Sequence, residues 1–226
     1  LRILVTNDDG FDAPGLAALR DVAGEFGEVF TLAPATQQSY VGHRVSTATP
    51  LRLTTLGPLQ FHLAGTPADC VRVALRGLGE PFDWVFSGIN HGGNLGADVY
   101  TSGTVAAARE AALLGVPAIA ISQFHRRPHP DDWEMSAALA RRAIARIISE
   151  PVSQTLYWNV NLPHPVADPA AVELCECSLD PGALDVAFAR EGDEFLYAGR
   201  YMDRSCAPGF DVARCFGGAI TLTRFA

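Results

Sequence analysis

The opening 34 residues constrain the fold more than any other part of the chain. Arg2–Thr6 is a short apolar run of strand character, and Leu16, Leu19, Val22 and Phe26 then recur at helical spacing. A second apolar run at residues 29–32 closes with Ala33-Pro34. Strand, helix and strand over so short a length is the size of a right-handed parallel crossover. Between the first strand and the helix stands Asn7-Asp8-Asp9-Gly10-Phe11-Asp12-Ala13-Pro14-Gly15, a polar turn rich in residues that interrupt regular structure. An open parallel sheet presents its ligand crevice at the carboxyl ends of its strands, which is where this turn puts Asp8 and Asp9.

The alternation continues downstream. A polar loop over residues 35–49 precedes two extended segments, 51–55 and 59–63. Thr66-Pro67-Ala68-Asp69 then reads as a helix start, with a capping hydroxyl, a proline at the first helical position and a capping acid. Residues 83–86 form a third core strand, 87–101 a glycine-rich loop, 102–114 a helix and 118–122 a strand. An amphipathic helix over 131–149 and a strand over 156–160 follow. The pattern predicts an α/β, Rossmann-like, doubly wound domain with a mostly parallel sheet over residues 1–163. Beyond Pro163, segments 171–177, 184–188, 194–198 and 219–223 read as short strands with no helix between them. Residues 164–226 are therefore expected to form a small antiparallel subregion attached to the sheet, used in assembly, within one domain spanning 1–226.

Composition narrows the partners. Seventeen basic against 25 acidic residues give a net charge of −8, which argues against a nucleic-acid polymer as ligand. The longest mostly apolar stretch, residues 111–121, is broken by Gly115 and Pro117 and is shorter than a membrane span. No apolar leader segment opens the sequence, so a soluble cytoplasmic protein is expected. Cysteines at 70, 175, 177, 206 and 215 are odd in number and form no CxxC, and free thiols follow.

Adjacent carboxylates repel, and a cation beside Asp8 and Asp9 is the simplest way to ionise both; a turn with a helix cap is the alternative. Thr36-Gln37-Gln38-Ser39, Asn90, His91 and Asn94 come from the loops after the second and third core strands. Carboxylates with hydroxyl and amide oxygens make a hard site suited to Mg²⁺, Mn²⁺ or Ca²⁺. Histidines and acids show no zinc-ligand spacing, and HExxH, Walker and GxSxG motifs are absent. His62, His125 and His129 read as surface or packing residues, whereas His43 and His91 stand nearer the acidic turn as proton donors. Ser102-Gly103-Thr104 opens a helix whose free amides and hydroxyls suit a phosphate, or simply cap it. Metal and anion sites together are the minimum equipment for phosphoester hydrolysis.

These residues resemble the SurE family, the survival-protein nucleotidases. The resemblance is carried by Ile3 through Gly10 with Ala13-Pro14-Gly15; Ala33-Pro34 through Ser39; Gly65-Thr66-Pro67-Ala68-Asp69-Cys70; Ser87 through Gly96; and Tyr100 through Ala108. Asn159-Val160-Asn161-Leu162-Pro163 and the segment from Gly217 to Thr223 extend it weakly. It implies a phosphatase that uses one divalent metal ion per subunit, Mg²⁺ or Mn²⁺ above all, to release phosphate from nucleoside 5'-monophosphates and in some members from 3'-monophosphates or short polyphosphate. By motif, Asp8, Asp9, Ser39 and Asn90 would hold the metal, with Asp8 or Asp9 acting in catalysis. Asn94, Ser102, Gly103 and Thr104 would hold the phosphate, in a homodimer or homotetramer whose C-terminal region reaches across to a partner. Where relatives usually have glycine after the metal-binding serine, this chain has Tyr40, which either re-routes the backbone presenting Ser39 or stacks on the nucleobase. The rival reading is a non-catalytic nucleotide-binding or assembly protein with a degenerate site.

Overall fold

The computed structural model describes residues 1–126, 128–151, 156–184 and 186–225. In chain order the elements are β1 (Arg2–Thr6), α1 (Pro14–Gly24), β2 (Glu28–Pro34), β3 (Leu53–Gly57), β4 (Gln60–Leu63), α2 (Pro67–Arg72), β5 (Trp84–His91), α3 (Gly103–Leu113), β6 (Ala118–Gln123), α4 (Trp133–Ile148), β7 (Tyr157–Leu162), β8 (Leu174–Glu176), β9 (Phe188–Glu191), β10 (Glu194–Tyr197), α5 (Asp211–Phe216) and β11 (Ile220–Phe225). Nine strands join one sheet in the order β3-β4-β2-β1-β5-β6-β7-β11-β8. Strands β4, β2, β1, β5, β6 and β7 run parallel, while β3 is antiparallel to β4 and β11 to β7. The α/β, mostly parallel architecture expected from the alternation is the one observed.

The pleat of β1 sorts its side chains between two cores. Ile3 and Val5 pack with Leu16 and Leu19 of α1 and Leu139 and Ala143 of α4. Leu4 packs on the opposite face with Cys70 and Val71 of α2 and Val105 and Ala108 of α3. All three β1 side chains are fully buried, each worth about 1.5–3 kcal/mol relative to exposure. The sheet is thus covered on both faces, as parallel strands require. From β1 the chain moves first to β2 on one side and later to β5 on the other. The crevice of a doubly wound sheet opens at such a reversal, at the carboxyl ends of β1 and β5.

Two regions depart from the expectation. Strand β5 continues through Asn90 and His91, which the sequence places in a loop; the β5–β6 register shifts between Ser87 and Asn90. Gly88 makes that bulge, with φ of +139° and so close an approach to β6 that a Cβ would meet the Ile121 carbonyl oxygen at 2.2 Å. After Pro163 the strands of the subregion are attached to the sheet, as expected, but they are not free of helix. Strand β11 inserts between β7 and β8, and α5 precedes it; α5 is only six residues long, too short to show a helical stripe. Among the described residues, antiparallel pairing apart from the main sheet is confined to the β9–β10 hairpin. The expected strand at 184–188 includes Asp185, outside the described residues, and the observed strand begins at Phe188.

All five cysteines are free. Among the described residues no helix is long and apolar enough to cross a membrane.

Candidate active site

Asp8 stands two residues beyond the end of β1 and is buried; Asp9 is half-buried beside it. The turn that carries them is locked by Asn7, whose side-chain amide donates to the Gly10 carbonyl at 2.8 Å and whose oxygen accepts the Gly10 N–H at 3.2 Å. Thr104 Oγ1 donates to Asp8 Oδ1 at 2.5 Å, and the His91 backbone N–H donates to Asp9 Oδ2 at 2.9 Å. Burial pushes the Asp8 carboxyl up to about 6, against the hydrogen bond from Thr104 and with a further push from the Asp9 charge. Asp9 is also raised, again by burial first, with the His91 amide opposing. The chain contains no lysine, and among the described residues no arginine pairs with either carboxylate. Two adjoining, desolvated acids with no arginine paired to them and only the His91 imidazole near Asp9 fit a bound divalent cation, which would supply further positive charge.

Helix α3 begins against this pair. Ser102 caps it, its hydroxyl accepting the Val105 N–H at 3.1 Å. Gly103 is there for space: a Cβ would sit 2.9 Å from the Asp8 Cβ and 3.0 Å from Asp8 Oδ2. Thr104 is fully buried, and its hydroxyl proton is committed to Asp8. Within the Ser-Gly-Thr opening, Thr104 therefore holds Asp8 directly and Gly103 makes room for it, roles the sequence did not disclose.

The loop bearing Ser39 and Tyr40 is tied to the same place. Gln38 N–H donates to the Asp8 carbonyl at 2.7 Å and Gly42 N–H to the Thr101 carbonyl at 3.1 Å. His43 Nε2 lies 2.7 Å from the buried Glu110 carboxylate of α3, which also takes Arg72 Nε at 2.6 Å. Ser39 is exposed, its hydroxyl accepting from the Gln37 amide at 2.8 Å. Tyr40 adopts φ of +58°, the left-handed conformation that favours glycine, and exposes 91% of its surface.

Asn90 and Asn94 differ in kind. Asn90, half-buried at the end of β5, donates to the Gly92 carbonyl at 2.7 Å, spending a donor and not its oxygen. Asn94 is buried and serves as a structural node: its amide donates to Ser122 Oγ at 2.7 Å, its N–H to Asn161 Oδ1 at 2.8 Å, and its carbonyl accepts from Asn159 and Asn161. The C-terminal third clamps the same loop. Asp211 accepts the Gly96 N–H at 2.7 Å, the Arg204 guanidinium bridges Asp98 at 2.6 and 2.7 Å, and Tyr201 Oη donates to the Gly93 carbonyl at 3.1 Å.

Sequence spacing concealed one cluster, in which His125, expected as a surface or packing residue, packs against the rings of His91, Trp133 and His164. His91 Nε2 and His125 Nδ1 lie 3.3 and 3.2 Å from the Asp131 carboxylate. His91 ends β5 and His125 follows the neighbouring β6, while Asp131 lies six residues beyond His125, just before α4.

A model of the survival protein SurE family matches residues 3–180. The chain belongs to the SurE family. The 5'-nucleotidase SurE of Rhodospirillum rubrum is 41% identical over 232 residues, covering 98% of this chain and 88% of the relative. A Synechocystis protein is 42% identical over 226 residues, 99% of each. The crystal structure of the SurE protein from Aquifex aeolicus superposes with a TM-score of 0.87 at 28% identity, over 100% of this chain and 93% of that one. Family and fold thus stand as the resemblance implied.

Proposed function

We propose that this SurE protein is a divalent-metal-dependent phosphatase acting on nucleoside 5'-monophosphates, with 3'-monophosphates or short polyphosphate as further substrates. That it is an enzyme, a phosphoric monoester hydrolase, follows from its family. The observation that carries the finer reading is the desolvated Asp8–Asp9 pair, with no arginine paired to it among the described residues and facing the start of α3. Asp8, Asp9, Ser39 and Asn90 would hold one Mg²⁺ or Mn²⁺, whose charge would polarise the phosphoryl group and acidify water.

The protein's own groups do the rest. Thr104 aims the Asp8 carboxylate, and the His91 amide fixes that of Asp9. Either carboxylate can orient attacking water, and Asp8, with its affinity for a proton raised by burial, is the better base. Amides at the start of α3, near Gly103, and the Ser102 hydroxyl would offset charge on the phosphoryl oxygens. Asn94 supports them by holding the loop to Ser122 and Asn161. The exposed Tyr40 ring is free to stack on a nucleobase, a contact that tolerates any base.

The β9–β10 hairpin, with Phe195 and Leu196 exposed by 63% and 74%, supports a homodimer or homotetramer in which this arm is covered. Free thiols suit a cytoplasmic setting. Phosphate release from a panel of nucleoside 5'- and 3'-monophosphates, with Mn²⁺ or Mg²⁺ added and then chelated, tests the reading. Metal-dependent release from 5'-monophosphates is expected. Binding of nucleotide without turnover under any metal would replace it with the non-catalytic reading.

A further inference from the structure

The carboxyl ends of β5, β6 and β7 carry a second constellation. His91 ends β5 and pairs in register with Gln123, the last residue of β6; Gln123 in turn pairs with Leu162, the last residue of β7. His125 stands two residues beyond the end of β6, and His164 two beyond the end of β7. One histidine therefore follows each of three adjoining parallel strands, on the edge of the sheet that carries Asp8 and Asp9. Asp131, just before α4, completes the group; its carboxylate meets His91 Nε2 at 3.3 Å and His125 Nδ1 at 3.2 Å.

We propose that His91, His125 and Asp131 form a second metal site, separate from the Asp8–Asp9 pair and selective for a borderline divalent transition ion of the Zn²⁺ or Co²⁺ kind. Chemistry and geometry agree. Two imidazoles and one carboxylate suit zinc-like ions, whereas Mg²⁺ prefers oxygen ligands alone. Tetrahedral bonds of about 2.1 Å place ligand atoms about 3.4 Å apart, close to the two separations observed. All three ligand atoms lie within 4.8 Å of one another.

Three protein ligands leave a fourth position for water or an anion. Trp133 walls the site, its ring 6.3 Å from His91 and 6.5 Å from His125. The buried His164 ring stands 5.3 Å from that of His125. The site also adjoins the first one through a single residue: His91 presents its side chain to Asp131 and its backbone N–H to Asp9. An ion held by the His91 imidazole would thus anchor the strand end that carries Asn90. A simple hydrogen-bonded triad is the competing account, in which Asp131 accepts from both rings and no metal enters.

Titrating the metal-stripped chain with Co²⁺ separates them, because cobalt bound tetrahedrally by imidazole and carboxylate has a strong ligand-field band that octahedral oxygen sites lack. The wild type should develop this band, with quenching of tryptophan fluorescence, and excess Mg²⁺ should not displace it. His125→Ala and Asp131→Asn should each weaken Co²⁺ at this site by at least about tenfold and abolish the band. Asp9→Asn should keep it, whatever becomes of phosphatase activity. Asp131 is exposed, so Asp131→Asn carries the test should His125→Ala melt without cooperativity. No band in the wild type, or an undiminished band in Asp131→Asn, would overturn the second site.

Discussion

The mouth of the sheet at Asp8 and the hairpin at Leu196 solve opposite problems. At the mouth, polar groups are withdrawn from water and mostly answered from within the chain: Thr104 on Asp8, the His91 amide on Asp9, Ser122 and Asn161 on Asn94. On the hairpin, Phe188, Phe195, Leu196 and Tyr197 stand in water with little of the same chain over them. Buried polar groups are costly when unanswered, so the first region demands internal precision. Exposed apolar surface of this kind is the observation on which the proposed assembly rests. Between them, Tyr201 and Arg204, a few residues beyond the hairpin, bond to Gly93 and Asp98 of the glycine-rich loop.

The sharpest way to break this contrast is Asp9→Asn. Asparagine keeps the shape and still accepts the His91 N–H, so the apo protein should melt as wild type or slightly higher, with less repulsion against Asp8. Metal affinity should fall and kcat/KM with it, by at least about a hundredfold. Calorimetric metal titration, turnover and apo melting read the three effects, and wild-type turnover in the folded variant would remove Asp9 from the site.

A pH series tests whether the mouth is strained without metal. Asp8 is protonated to about 6 in the folded chain but only to its ordinary 3.8 when unfolded. The folded state therefore holds the extra proton between these values, and apo stability should fall as pH rises from about 4 to about 6, by at most about 3 kcal/mol. Asp9 and Asp211 are raised in the same direction, so the contribution of Asp8 is the part missing in Asp8→Asn. Denaturant melts of both proteins across this range, without and with Mn²⁺, supply the measurement. Metal should flatten the wild-type slope, since it favours the ionised form.

Gly103→Ala sharpens the comparison further. Its Cβ would meet Asp8 Cβ at 2.9 Å, so either α3 or the Asp8 carboxylate must move. A stability loss of about 1–3 kcal/mol and at least about a tenfold loss of turnover are expected, measured by melting and by initial rates. On the hairpin the smallest effect on folding is expected. Leu196→Asp should change protomer stability by less than about 0.5 kcal/mol while shifting sedimentation toward the 24.1 kDa species. Unchanged sedimentation from an assembled wild type would show that the hairpin is not the covered surface.

The legible parts of this protein were those written in contiguous residues. The crossover from β1 through α1 to β2 was readable because apolar spacing changes from strand-like to helical over a few residues. The acidic turn and the Ser-Gly-Thr helix start were readable because caps, turns and strand ends are local events. What those residues do to one another was not. Nothing local says that Thr104 spends its proton on Asp8, or that Asn94 is a buried node tied to Ser122, Asn159 and Asn161. Nor does short-range pattern show that β11 enters the main sheet between β7 and β8, because strand order is settled by long-range packing.

Sequence by itself determined the alternation of strands and helices, the acidic pair at the end of the first strand and the family's motifs, since each depends on neighbours a few residues away. Tertiary structure alone decided which distant groups answer the buried charges, why Gly103 must lack a side chain, and that His91, His125 and Asp131 converge. The reason is physical: a parallel sheet gathers the ends of strands that are separated in the chain by whole helices, and only the packed sheet sets which of those ends are neighbours.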